Sequence, residues 1–172
     1  MLKRAKSNGF LWISHFGDIG VTQNSSSQDP DTFRHRIRVR YSEIDGQSVV
    51  FNSRYLEYAD VAITEYLRVH GISIVPGPET PEFHVAKATV EFKAPIRIDE
   101  EIDLCVRTRR MGRSSWTLLV EIRGAAKNDH RATIEEIYVH VDLRSGTTTP
   151  IPQWIRAAIE EAEGDTQAKH SD

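Results

Sequence analysis

From Phe33 the chain alternates. Phe33, His35, Ile37, Val39 and Tyr41 are separated by Arg34, Arg36, Arg38 and Arg40, the period of two expected of a strand with one half-buried face. The period then changes. Over residues 54–70, Tyr55, Ala59, Ala62 and Tyr66 fall on one stripe that Leu56, Ile63 and Leu67 widen, which predicts an amphipathic helix. Gly71 follows it, where a helix end favours glycine. A loop is expected over 72–82, which holds Pro76-Gly77-Pro78 and Pro81.

Four alternating runs come next. In the first, Ala86, Ala88, Val90, Phe92 and Ala94 interleave with Lys87, Thr89, Glu91 and Lys93. In the second, Ile102, Leu104, Val106 and Thr108 form the apolar set, and in the third Trp116, Leu118, Val120 and Ile122. In the last, Ile137, Val139, Val141 and Leu143 alternate with Tyr138, His140 and Asp142. Turn residues separate the runs at 99–101, 111–113, 127–129 and 145–146, so an antiparallel sheet is expected. Ile151, Ile155 and Ile159 at spacing four predict a short helix from Pro152 to about Glu163. A single sheet must bury its apolar face, and the helix at 54–70 is the long apolar element available to cover it. The fold class this implies is α+β, a curved antiparallel sheet around one long helix, with edges that self-association would cover.

Composition narrows the classes. The chain has 172 residues, 39% of them apolar, and a formal net charge of −3, which suits one domain with no basic field to recruit nucleic acid or acidic lipid. The four arginines of the first strand lack interleaved aromatics on their own face, so a solvated or oligomer-facing surface is the better reading of them. One cysteine, Cys105, excludes an intrachain disulfide and favours a reducing, cytoplasmic setting. Lys3, Arg4 and Lys6 before Phe10-Leu11-Trp12-Ile13 imitate a signal peptide, but the apolar stretch is too short. Residues 1–31, with the polar run 24–30, are expected to be a disordered tail, 32–163 the folded domain and 164–172 a polar tail.

The run from Tyr41 to Tyr55, Tyr-Ser-Glu-Ile-Asp-Gly-Gln-Ser-Val-Val-Phe-Asn-Ser-Arg-Tyr, resembles the signature of the 4-hydroxybenzoyl-coenzyme A thioesterase family. Three further pieces follow in that family's order: Glu91-Phe92-Lys93-Ala94-Pro95, Gly112-Arg113-Ser114-Ser115 and Thr149-Pro150-Ile151-Pro152. The resemblance spans about residues 33–160. It implies a hotdog fold, a homodimer or homotetramer, and hydrolysis of an acyl- or aroyl-coenzyme A to free acid and coenzyme A. No cofactor or metal is implied, because coenzyme A is part of the substrate.

It also implies Asp45 as nucleophile or as general base toward water, either of which suits an electrophilic thioester carbonyl. Backbone N–H donors from Val49 to Phe51, with Val50 and Phe51 the chosen pair, would stabilise the oxyanion beside the helix start. Ser48, Asn52 and Tyr55 are candidate substrate contacts, although Asn52 also suits a helix cap and Tyr55 the core. Glu43 reads as a solvated neighbour. Arg109, Arg110 and Arg113, with Ser114 and Ser115, would meet the phosphates of coenzyme A or form a solvated turn. The family usually has Gly where this chain has Ser48, and Gly46 is a possible substitute for its freedom, so Ser48→Gly is expected to change turnover. Other readings are a hydratase or dehydratase, against which Val49 stands where a His sometimes appears, and a non-catalytic acyl-thioester-binding protein. The scattered histidines show no ligand spacing, and His84 and His140 read as structural.

Overall fold

A computed structural model describes residues 33–77 and 80–168, with side chains through Glu163. The expected N-terminal tail, residues 1–31, lies outside the described residues. The strands are β1 (Phe33–Arg38), β2 (Glu82–Phe92), β3 (Glu101–Met111), β4 (Ser115–Gly124), β5 (His130–Asp142) and β6 (Thr147–Thr148), and the helices are α1 (Arg54–Val69) and α2 (Gln153–Ala168). All strand pairs are antiparallel, in the order β1-β3-β4-β5-β2, with β6 against the end of β5. A long helix and a short C-terminal one were expected; both are of 16 residues. α2 runs five residues past the expected end at 163.

α1 forms where its stripe predicts. Tyr55, Tyr58, Ala59, Ala62, Ile63 and Tyr66 are buried on one side, and the fully buried Ala59 and Ala62 let the helix backbone approach the sheet. Its end is closed by paired bonds, Ile72 N–H to Leu67 O at 2.9 Å and Gly71 N–H to Arg68 O at 3.1 Å. Gly71 takes the left-handed φ of +69° that this closure needs. Facing α1 are Ile102, Leu104 and Val106 of β3, Trp116, Leu118, Val120 and Ile122 of β4, and Ala132 and Ile134 of β5, all buried.

α2 seals the far end with Ile155 and Ile159. It is tied there by Glu163, whose Oε1 accepts the Tyr66 hydroxyl and the Thr108 N–H, both at 2.7 Å. The Trp116 indole N–H donates to Thr108 Oγ1 at 3.0 Å, so the polar tips of the largest core rings are satisfied.

β5 departs from expectation. It begins at His130, and its register pairs Ile134 with Val120, Glu136 with Leu118 and Tyr138 with Trp116. Glu136, Tyr138 and His140 therefore face the core, while Ile137, Val139 and Val141 lie on the outer face. The inward polar groups have partners: Tyr138 OH donates to Glu136 Oε2 at 2.6 Å, and His140 Nδ1 lies 2.9 Å from Pro150 O. Burial pushes the Glu136 carboxyl above its ordinary range. β2 also begins earlier than its alternation suggests, at Glu82, and a bulge between Val85 and Lys87 breaks the phase at Ala86. Along its free side β2 forms an edge of the sheet, with Val85 and Phe92 more than half exposed.

On the outer face the arginines of β1 are occupied. Arg34 Nη1 meets Asp103 Oδ2 at 2.9 Å and Arg36 Nε meets Oδ1 at 2.7 Å, around a carboxylate only 1% exposed. Burial pushes the Asp103 carboxyl up, but the bonds from Arg36 and Arg34 outweigh it and hold it below its ordinary value. A depressed folded value stabilises above the ordinary carboxylate pKa of about 4 and loses that contribution as pH falls through the folded value. Asp103→Asn is expected to cost about 2 kcal/mol at pH 7. Urea denaturation is expected to show the gap from the wild type narrowing as pH falls below about 4.

Candidate active site

Between β1 and α1 the chain makes a single 3-10 turn at Tyr41–Glu43 and then a tight excursion. Ile44 bridges Val50, and Val49 bridges Arg97. Within the excursion Asp45 N–H donates to Val49 O at 2.9 Å, and Ser48 N–H returns to Asp45 O at 3.0 Å. This is a short hairpin whose fourth position must turn left-handed. That position is Ser48, at φ +61°. Gly46 is not among the positive-φ residues, so it does not supply the freedom once expected of it.

The turn orients Asp45. Its Oδ1 accepts the Gln47 N–H at 2.7 Å and, weakly, the Val49 N–H at 3.4 Å. Oδ2 accepts no hydrogen bond among the described residues. The side chain lines a cavity of about 210 Å3 with Val50, Phe51, Asn52, Tyr55 and Phe92. Tyr55 is 3% exposed and its ring stands edge-on to Phe92, 4.8 Å between centroids. It is thus both a core residue and a wall. Phe92 was read as a strand residue and as part of the 91–95 segment of the resemblance, but not as a site residue; its place at the end of β2 in that segment was the available signal.

Several expected roles change. The Val50 N–H donates to Ile96 O at 2.8 Å and the Phe51 N–H to Glu43 O at 2.9 Å, so neither is free to meet an oxyanion. Both bonds hold the loop against its neighbours, which sequence spacing did not reveal. The N–H groups of Asn52 and Ser53, at the start of α1, have no acceptor among the described residues. Asn52 does not cap with its side chain; its carbonyl receives the Tyr55 N–H at 3.4 Å. Glu43, expected to be solvated, is 3% exposed and is enclosed by Arg40 and Tyr58.

The β3–β4 hairpin carries Arg110, Arg113, Ser114 and Ser115 at the other end of the sheet. Ser115 is level with Val139, and Val139 with His84. Phe92 lies eight residues further along β2, roughly 25 Å at the rise of a strand. Within one chain the hairpin and the Asp45 cavity are therefore not brought together. Arg113 O accepts the Ile151 N–H at 2.9 Å and Arg156 Nη2 at 2.8 Å, so the hairpin backbone is anchored while the Arg110 and Arg113 side chains remain exposed. Arg109 is paired with Glu135.

The model of the thioesterase-like superfamily matches residues 39–159, from the end of β1 into α2. The chain belongs to this superfamily. It is a thioester hydrolase. It is 30% identical over 130 residues to the acyl-CoA thioester hydrolase YbgC of Escherichia coli, across 75% of this chain and 96% of that protein. A thioesterase from Thermus thermophilus, solved with coenzyme A and Zn, superposes with a TM-score of 0.67 at 29% identity, covering 76% of this chain and 93% of that one. A 1,4-dihydroxy-2-naphthoyl-CoA thioesterase from Synechocystis shares the fold, with a TM-score of 0.69 at 20% identity over 74% of this chain and 95% of that one. Among the described residues no cluster of three or more His, Cys, Asp or Glu is arranged to hold a metal, and no helix is long and apolar enough to cross a membrane.

Ser48, where the resemblance led glycine to be expected, is left-handed. Ser48→Gly is expected to relieve that conformation at the cost of a more flexible unfolded chain, a net gain of about 0.5–1 kcal/mol. A higher urea midpoint with unchanged slope checks it.

Proposed function

We propose that the chain hydrolyses the thioester of an acyl- or aroyl-coenzyme A to the free acid and coenzyme A, with Asp45 as the reacting carboxylate. The observation that carries this reading is the division of labour on Asp45. One oxygen is tethered by the turn, the other accepts no hydrogen bond among the described residues, and the residue lines a cavity at the N-terminus of a helix. As nucleophile, the free oxygen attacks the carbonyl carbon, expels the thiolate and leaves an anhydride that water cleaves. As general base, it takes a proton from water while the hydroxide attacks, and the C–S bond breaks with the thiolate protonated on leaving. In both routes negative charge gathers on the carbonyl oxygen. The Asn52 N–H, unpaired at the positive end of α1, is the donor placed to receive it.

The coenzyme A phosphates are assigned to Arg110, Arg113, Ser114 and Ser115 of a second copy. β2 is a long edge with exposed apolar side chains, and an unpaired edge favours a second strand. Antiparallel pairing of two β2 edges reverses direction, so the hairpin end of one copy lies against the Phe92 end of the other. This reading includes a sheet curled around α1, a homodimer or larger homo-oligomer, and a cytoplasmic setting that suits the lone Cys105.

Thiol release from a panel of short, long and aromatic acyl-coenzyme A esters tests the activity. Asp45→Asn is expected to lower turnover by about a thousandfold or more while the protein stays folded; equal rates would remove Asp45 from the chemistry. Arg113→Glu is expected to raise KM for coenzyme A esters by about tenfold, the loss of one charge-assisted phosphate contact. It is expected to leave KM for pantetheine thioesters unchanged.

A further inference from the structure

Glu43 sits two residues before Asp45, yet its carboxylate points away from the cavity and is enclosed. Oε2 accepts the Arg40 N–H at 2.7 Å and the Tyr58 hydroxyl at 2.9 Å. Oε1 accepts Arg40 Nε at 2.8 Å and Nη2 at 2.5 Å. The backbone of Glu43 adds two ties: its N–H donates to Arg40 O at 3.1 Å, and its carbonyl accepts the Phe51 N–H at 2.9 Å. Burial pushes the carboxyl up, but the bonds from Arg40 and Tyr58 outweigh it, so its pKa lies below the ordinary range and it stays charged near neutrality. Enclosing a carboxylate costs several kcal/mol before its partners offset it, a heavy requirement for a connection that an ordinary turn would make.

Each tie fixes one part of the site. The bond to Phe51 sets the backbone just before Asn52, which lines the cavity and whose N–H has no acceptor among the described residues. The bond to Tyr58 fixes the roll of α1, and with it Tyr55, three residues earlier on the same buried stripe. The short link Glu43-Ile44 carries Asp45 from the same anchor. The carboxylate and the candidate oxyanion donor are thus referred to one rigid point on opposite sides of the excursion.

We infer that Glu43, clamped by Arg40 and Tyr58, is a positioning residue for the thioesterase reaction, setting the separation of the Asp45 free oxygen from the Asn52 N–H. This rests on the reading of Asp45 as the reacting carboxylate. It assigns Glu43 no contact with substrate, and its effect on the rate runs through Asp45.

The test is a double-mutant cycle. Glu43→Gln and Tyr58→Phe are each made in the wild type and in Asp45→Asn. kcat and KM are measured by thiol release, and urea midpoints report folding. A misplacement of the order of an ångström costs about a hundredfold, so Glu43→Gln is expected to lower kcat by about that factor and Tyr58→Phe, which loses one of the bonds, by about tenfold. KM is expected to move by less than about threefold, because ground-state binding is untouched. In the Asp45→Asn background neither substitution is expected to lower the residual rate further. A kcat within about twofold of wild type for both variants would overturn the proposal, as would full losses that persist without Asp45, since a support for folding alone acts in either background. Tyr58→Phe keeps the ring that packs in the core, so it decides the matter if Glu43→Gln does not fold. Wild-type turnover by Asp45→Asn would defeat the Asp45 reading itself and this proposal with it, a result distinct from a Glu43 effect that survives in both backgrounds.

Discussion

The structure depends on the burial of one helix stripe against one sheet face. α1 leaves six residues of its length on the buried side, and β3, β4 and β5 present matching rows of branched and aromatic side chains. Neither surface has another cover of comparable size among the described residues, so the helix and sheet stabilise one another. Ala59 and Ala62 at the contact let the helix lie close, and α2 closes the remaining end through Ile155, Ile159 and the Glu163 bonds. With α1 seated, its N-terminus is held against the connection from β1, and that connection carries Asp45, the proposed reacting carboxylate.

The site uses the positive end of a helix that packing has already fixed. The Asp45 turn spends one carboxylate oxygen on holding its own geometry and leaves the other without a hydrogen-bond partner among the described residues. Val50 and Phe51 donate to Ile96 and Glu43, so their N–H groups serve as anchors for the loop. The free donors fall one step later, at Asn52 and Ser53. An oxyanion site of this kind needs both conditions: neighbouring N–H groups pinned elsewhere, and one left without an acceptor at the helix start.

Much of this was legible from residue order. α1 shows a helical apolar stripe and β3 and β4 show apolar positions at every second residue, Ile102, Leu104 and Val106 and then Trp116, Leu118, Val120 and Ile122, because these sets face the core, and Gly71 marked the helix end. The cavity residues Asp45, Val50, Phe51, Asn52 and Tyr55 lie within one short segment, so locating the segment located them. β5 was harder because both of its faces carry apolar residues and its core face holds Glu136. Only the register against β4 decides which set is inward. Glu43 was misread because its partner Tyr58 lies a full helix turn beyond the loop, and burial through a partner leaves no local pattern. The engagement of Val50 by Ile96 and the distance of the Arg113 hairpin from Asp45 are likewise products of topology. Ser48 was the exception: the substitution of a glycine-favouring position was visible before the left-handed φ was.

In the proposed mechanism Asp45 and the Asn52 N–H converge on one thioester carbonyl. A crystal structure with a non-hydrolysable ketone analogue of an acyl-coenzyme A measures this directly. The analogue carbonyl oxygen is expected at about 3 Å from the Asn52 nitrogen, its carbon facing the untethered oxygen of Asp45. A carbonyl bound away from the α1 N-terminus, or turned so that Asp45 and Asn52 meet different parts of the ligand, would contradict it.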